Sequence, residues 1–178
     1  MALQSAAEKL AELPEKERLV FLSSLTEQEA DSLLYDWRGF LARPDQIAPA
    51  GDWDIWMVLS GRGWGKTRTG SEWIKENVEE RGNIRIALIA ETAADARDII
   101  VEGDSGILNC YKAEKAPVYE PSKRRITWSN GAVATLFNAT EPNQLRGPQF
   151  HLAWCDELAK YRYARALWDM LQFGLRLG

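Results

Sequence analysis

Apolar positions recur along this chain with two different periods, and each period predicts a different element. Over residues 1–43 they fall at helical spacing among Ala, Leu, Glu and Lys, all good helix formers. Leu10 and Leu13 lead to Pro14, which breaks a first helix and opens a second with Leu19, Val20, Leu22 and Leu25 as its apolar face. Thr26 with Glu29 three residues later forms a capping box. It predicts a third helix to about Gly39, with Leu33, Leu34, Trp37 and Phe40 at its apolar positions. This N-terminal helical arm is expected to pack on the core. Residues 42–54 then read as a loop, punctuated by two prolines, one glycine and three aspartates.

From residue 55 onward, short apolar runs alternate with helical stretches. IWMVLS (55–60) has the character of a buried strand. A helix is expected from Gly65 to Arg81 through Trp73, Ile74, Asn77 and Val78, with Gly82 as its C-cap. IRIALIAE (84–91) predicts a second buried strand, and Thr92 to about Glu102 another helix. RRITWS and AVATLFNA flank Asn130-Gly131, a strong hairpin signal; a two-residue turn there would set Trp128 opposite Val133. FHLAWCDE (150–157) predicts a further strand, followed by a helix from about Arg162 to Leu177. The fold class this implies is α/β: a mostly parallel sheet flanked by helices on both faces, with a β-hairpin insertion and the helical arm in front.

Composition narrows the class further. The 178 residues suffice for one domain with a core, and 46% hydrophobic with 27% charged residues is the profile of a soluble globular protein. No apolar run approaches the roughly 20 residues a bilayer-spanning helix needs. The N-terminus lacks the basic start and apolar stretch of a signal peptide, so the expected location is cytoplasmic and no membrane partner is expected. A net charge of -4 argues against strong non-specific nucleic-acid binding by the whole chain, but leaves room for a local patch. Lys123-Arg124-Arg125 is the one tight basic cluster. It could touch phosphates or a neighbouring subunit, or simply be a solvated edge strand blunted by charge. Cys110 and Cys155 have no metal-ligand spacing and read as reduced, buried thiols. The single histidine, His151, excludes a His-rich metal site and reads as structural.

The motif with chemistry is Ser60-Gly61-Arg62-Gly63-Trp64-Gly65-Lys66-Thr67, between an expected strand and an expected helix. That is the context of a phosphate-binding P-loop, or Walker A motif. Glycines let the backbone curl so that successive N–H groups face phosphate oxygens, and the helix aims its partial positive end at the same place. Lys66 could reach the β- and γ-phosphates of ATP, and the Thr67 hydroxyl could ligate Mg²⁺. Ser60 departs from the usual first glycine but is small enough to end a strand. Arg62 either senses the γ-phosphate, pairs with a carboxylate, or stays solvated. Trp64 packs on or caps the loop.

At the end of the strand over 150–155 stand Asp156 and Glu157. In a parallel sheet, ligands bind beyond the carboxyl ends of strands. Asp156 is therefore placed to hold Mg²⁺ and Glu157 to orient the attacking water, as in a Walker B pair; the alternative is an acidic N-cap for the next helix. Cys155 precedes them with no base placed to activate it.

Four segments together resemble the large terminase subunit, the DNA-packaging ATPase of tailed phages and gene transfer agents. They are GRGWGKTRTGSEWI, RIALIAET with the ADARD that follows, PSKRRITWSNGAVATLFNATEPNQLRGPQF and AWCDELAKY, and the likeness covers about residues 40–178. The resemblance implies an ASCE-type P-loop NTPase that hydrolyses ATP with Mg²⁺ and drives double-stranded DNA into a capsid in the bacterial host cytoplasm. It implies self-assembly into a ring on a portal protein, a small terminase subunit as partner, and Arg146 as an arginine finger acting on the neighbouring subunit; the alternative for Arg146 is a structural arginine bonded to nearby carbonyls. Gln46 resembles the family's adenine-contacting glutamine, or is a plain loop residue. Two domains are expected: an arm over 1–43 and an ATPase core over 44–178 that is incomplete at its C-terminal end. Members of this family continue into coupling strands and a nuclease domain, so no DNA cleavage is expected of this chain. A nucleotide-binding assembly module with little turnover, or another ASCE-type ATPase, are the competing readings.

Overall fold

The computed structural model describes residues 3–178, so the first two residues of the expected arm lie outside the described residues. The chain forms two compact units that divide between Thr69 and Gly70.

In the first unit, α1 (Ala6–Glu12), α2 (Glu15–Ser24) and α3 (Glu27–Leu33) follow the expected breaks. Ser5 caps α1 and Thr26 caps α3, each in a reciprocal box with the glutamate three residues on. Pro14 stands at the head of α2, where its missing N–H costs nothing. None of the three helices has a buried residue. The expected apolar face of α2 is thus not packed: Leu19, Val20 and Leu22 are exposed. The third helix is also shorter than expected. It stops at Leu33, and a separate π-helical turn, Trp37–Leu41, begins after Asp36, whose side chain accepts from the Gly39 N–H at 2.9 Å. Trp37 is the buried anchor of that turn.

The expected strand over 55–60 is not part of any sheet. Its side chains alternate, with Ile55 60%, Met57 70% and Leu59 82% exposed, so the backbone is strand-like in pattern but has no ladder among the described residues. The expectation of a buried strand here is overturned: among the described residues the run has no partner to take its N–H and C=O groups, and Ile55, Met57 and Leu59 face outward.

The second unit is built on a five-stranded sheet in the order β2-β3-β4-β1-β5. The strands are β1 (Arg85–Ala90), β2 (Val118–Glu120), β3 (Arg125–Thr127), β4 (Val133–Asn138) and β5 (Leu152–Cys155). The helices α4 (Lys66–Arg81) and α6 (Ala164–Gly174) lie near their expected bounds. The helix after β1 is split into a short α5 (Ala93–Asp95), capped by Thr92, and a π-helical continuation, Ala96–Val101.

The sheet is mixed, which corrects the expectation of a mostly parallel one. β1 runs parallel to β4 and β5, whereas β2-β3-β4 is an antiparallel meander. The reason is the hairpin: its second strand, β4, is no insertion but the neighbour of β1, so the meander joins the sheet directly. The hairpin register also differs by one residue. Thr127, not Trp128, lies opposite Val133, and Trp128 donates to the Ala132 carbonyl at 3.0 Å. Gly131, at φ 88°, turns a three-residue loop with one left-handed position. Asn130 bonds onward to the Val78 carbonyl at 2.8 Å, and this longer loop lets it do so.

β1 is buried on both faces. Ile86, Leu88 and Ala90 share one core with Ile74 and Val78 of α4 and with Ile100 and Val101; Ala87 and Ile89 share the other with Leu167 and Leu171 of α6. Helices therefore cover both faces, as expected. Gly70 is what lets α4 come so close: a Cβ there would lie 2.3 Å from the Trp154 ring of β5.

His151 accepts from the Arg85 N–H through Nδ1 at 3.0 Å, the structural role expected of it. Burial, then the charges of Arg81 and Arg85, hold its pKa below the ordinary value of 6.5. The unfolded chain thus binds this proton more readily than the folded one. His151 contributes stability that is full above that ordinary value and is lost as pH falls through it toward the folded pKa. We expect wild type to lose thermal stability between pH 7 and pH 5.5 more steeply than His151→Gln; parallel pH profiles for the two would contradict this.

Candidate nucleotide site

The residues expected to carry chemistry fall in both units. In the first, Gly63 and Gly65 take φ of 75° and 94°, the left-handed region that residues with a Cβ avoid. These two reversals curl the loop into α4, which Lys66 opens. Lys66 Nζ folds back over the loop and donates to the carbonyls of Ser60 at 3.1 Å and Gly61 at 2.9 Å. The Thr69 N–H makes an i→i−4 bond to the Gly65 carbonyl at 2.9 Å. The N–H groups of the first turn precede that ladder, so the helix presents donors and a partial positive charge at its start. Thr67 sits half-buried in this turn, and Arg62 is exposed.

Trp64 packs against the turn over 43–46 rather than on its own loop. Its indole N–H donates to Asp45 at 3.2 Å, and the Arg43 guanidinium lies 5.3 Å from its ring. Gln46 is buried beside it, donating to the Trp64 carbonyl at 3.1 Å and accepting from the Arg43 N–H at 3.0 Å. Arg43 itself donates to the same Trp64 carbonyl at 2.6 Å. Arg43 and Asp45 belong to no motif and were not expected here; only the structure shows that the turn over 43–46 folds against the glycine loop.

In the second unit, β5 delivers the acidic pair. The Asp156 N–H extends the ladder to the Ile89 carbonyl at 2.9 Å, so Asp156 stands where the parallel pair β1-β5 ends. Glu157 then turns into the left-handed region at φ 53°, ψ 45°. A residue with a side chain costs roughly 1–2 kcal/mol there. Its carboxylate pairs with Lys160, which raises the lysine's pKa, and it makes no capping bond to the short helical turn that follows. Glu157 thus stands at the N-cap position of the Leu158–Lys160 turn but caps it with its backbone carbonyl, not its carboxylate. Tyr161 was also not expected. Its hydroxyl lies 2.7 Å from both the Ile89 and Asp156 carbonyls, sharing one proton between the two strand ends. Burial pushes this phenol well above its ordinary value, so it stays protonated as the donor. Burial likewise pushes the Cys155 thiol up to about 12, which leaves it unreactive, as read.

Arg146 lies on a separate turn. A 3-10 turn, Pro142–Leu145, is pinned by buried Leu145, and Gly147 reverses the chain at φ 101°. Between them Arg146 is exposed, with no side-chain partner among the described residues. The alternative of an arginine bonded to nearby carbonyls is not what this turn shows. The basic cluster, by contrast, is partly neutralised: Lys123 and Arg125 pair with Glu120 at 2.5 and 3.0 Å, next to the edge strand β2.

These features define a class: a mixed α/β domain with a glycine loop on a helix N-terminus and an acidic pair at the end of a strand. The family described as terminase large subunit, T4likevirus-type, N-terminal, matches residues 57–178, and the chain belongs to it. Among solved structures it is similar to the large terminase ATPase domain of Thermus phage P74-26, with a TM-score of 0.48 and 17% identity over 64% of this chain and 53% of that one. A mutant of the same domain gives a TM-score of 0.46 at 17% identity over the same shares. The chain thus spans about half the length of the solved chains it matches. No curated protein matches it.

The left-handed turn at Glu157 generates a stability prediction. Glu157→Gly removes the Cβ clash at some cost in chain entropy, and is expected to leave stability unchanged or raise it by up to about 1 kcal/mol. Glu157→Val should lose about 1–2 kcal/mol in the same denaturation experiment. A glycine variant less stable than the valine variant would show that the turn is not strained.

Proposed function

We propose that this chain is the ATP-hydrolysing motor domain of a DNA-packaging terminase, coupling ATP hydrolysis to translocation of double-stranded DNA into a capsid. The observation that carries this reading is the glycine loop: two left-handed glycines, a lysine folded back onto the Ser60 and Gly61 carbonyls, and a helix that starts at that lysine. Membership of the terminase large subunit family supports it.

In this reading the loop N–H groups from Gly61 to Thr67 take the phosphates of ATP. Lys66 leaves the Ser60 and Gly61 carbonyls for the β- and γ-oxygens, a short move for a flexible side chain. Thr67 in the first unit and Asp156 in the second are each hard oxygen donors of the kind that suits Mg²⁺; when bound, the ion neutralises phosphate charge. Glu157 orients the attacking water and accepts its proton. The strain at Glu157 fits a residue kept for its chemistry. Arg146, exposed on its pinned turn, would act as an arginine finger on the nucleotide of a neighbouring subunit in a ring. A portal protein and a small terminase subunit are the partners, and the bacterial host cytoplasm is the location, of such a motor.

One observation favours a second reading, a nucleotide-binding assembly module with little turnover. The Glu157 carboxylate is engaged by Lys160, which would keep it from a water until that pair opens.

ATP turnover measured against protein concentration separates these. We expect the rate per subunit to rise with concentration and to fall about 10²–10⁴-fold in Glu157→Gln with binding retained. Lys66→Ala should lose tight binding, and Arg146→Ala should lose only the concentration-dependent part. Binding without turnover at any concentration would select the assembly module, and no nucleotide binding at all would defeat both.

A further inference from the structure

We infer that Arg43 and Gln46 are positioning residues that fix the direction of the Trp64–Gly65 peptide in the phosphate loop, and that Glu8 of the N-terminal arm acts on the loop through Arg43. This rests on the ATP-binding reading of that loop.

The Trp64–Gly65 peptide is planar and trans, so the Trp64 carbonyl and the Gly65 N–H point in opposite directions. The Trp64 carbonyl takes two donors from the same side, Arg43 Nη2 at 2.6 Å and Gln46 Nε2 at 3.1 Å. Holding that oxygen toward the 43–46 turn drives the Gly65 N–H to the other side. That N–H is one of those a phosphate must find. If the peptide flipped, a carbonyl would face the phosphate instead and repel it. Glycine loops flip easily because both halves of φ are open to them; here the flip would also break two hydrogen bonds, one of them from a charged donor.

The holders are themselves held. Gln46 is buried, and its carbonyl oxygen accepts the Arg43 N–H at 3.0 Å, so its amide cannot turn without losing a bond at each end. The Arg43 guanidinium stacks over Trp64, pairs with Asp45 at 3.5 Å, and donates from Nη1 to Glu8 at 3.2 Å. Glu8 reaches it while its other oxygen accepts the Ser5 N–H at 2.9 Å, the bond that caps α1. The start of α1 is thus linked through one arginine to the backbone of the phosphate loop. Gly65 completes the fit: at φ 94° it is left-handed, and a Cβ there would lie 2.7 Å from Gln46 Nε2.

This assigns Gln46 to the loop rather than to an adenine edge, and the two roles separate by experiment. ATP, GTP and inorganic pyrophosphate are titrated with Mg²⁺ against the full chain, with melting temperatures recorded for each variant. Wild type that binds none of the three overturns the ATP reading, and this inference with it. With wild type binding, Gln46→Ala should weaken all three by the same factor, about tenfold. Arg43→Ala should do likewise, with partial rescue by Arg43→Lys, which keeps the charge but not the fork. Glu8→Gln, outside the loop, should weaken binding about twofold to threefold with the melting temperature unchanged; it carries the test if Arg43→Ala does not fold. Loss of ATP binding alone in Gln46→Ala, or wild-type affinity in both Arg43→Ala and Glu8→Gln, would overturn the inference.

Discussion

The burial of β1 on both faces is the constraint on which the second unit depends. A strand with side chains on two cores must have a partner on each edge and a layer on each side. Ile86 and Leu88 take α4 and the Ala96–Val101 turn, while Ala87 and Ile89 take α6. The two edges take β4 and β5, both parallel. Every element that carries candidate chemistry in this unit is attached to that arrangement. Asp156 is bonded to the end of β1 through Ile89, Tyr161 is bonded to both strand ends, and the Arg146 turn is pinned into the same core by Leu145.

Rigid support and local strain meet at the acidic pair. The Ile89–Asp156 bond and the Tyr161 hydroxyl fix the strand ends, and the next residue is driven into a conformation that favours glycine. A glutamate at that position gains nothing from its backbone conformation, which glycine adopts without a Cβ clash. The first unit shows the same economy differently. Its glycine loop depends less on apolar burial than on a cation, an amide and two carboxylates arranged around one carbonyl.

What could be read from the sequence, and what could not, follows from the range of the interactions involved. Local signals worked: the Thr26–Glu29 box, Pro14, the glycine cap after α4, the presence of a hairpin at Asn130-Gly131 though not its two-residue turn, and the apolar runs of β1 and β5 all act within a few residues. The three-residue β2 is too short to show a period, and its Val118 is exposed. The observed hairpin register goes with Asn130 bonded to Val78, a contact 52 positions away in the chain. The run over 55–60 has the composition of a strand, but composition cannot supply a pairing partner. Among site residues, the glycine loop and Asp156-Glu157 carry a pattern of their own. Arg43 and Tyr161 matter only through the backbone carbonyls they reach, and no spacing announces that.

In the proposed function the backbone from Gly61 to Thr67 receives the phosphates of ATP. Amide hydrogen exchange with and without ATP·Mg²⁺ tests it most directly. The account predicts strong new protection of the Gly63, Gly65, Lys66 and Thr67 amides, while exchange in β2 and β3 is unchanged. Nucleotide-dependent protection elsewhere in the chain with none in this loop would contradict it.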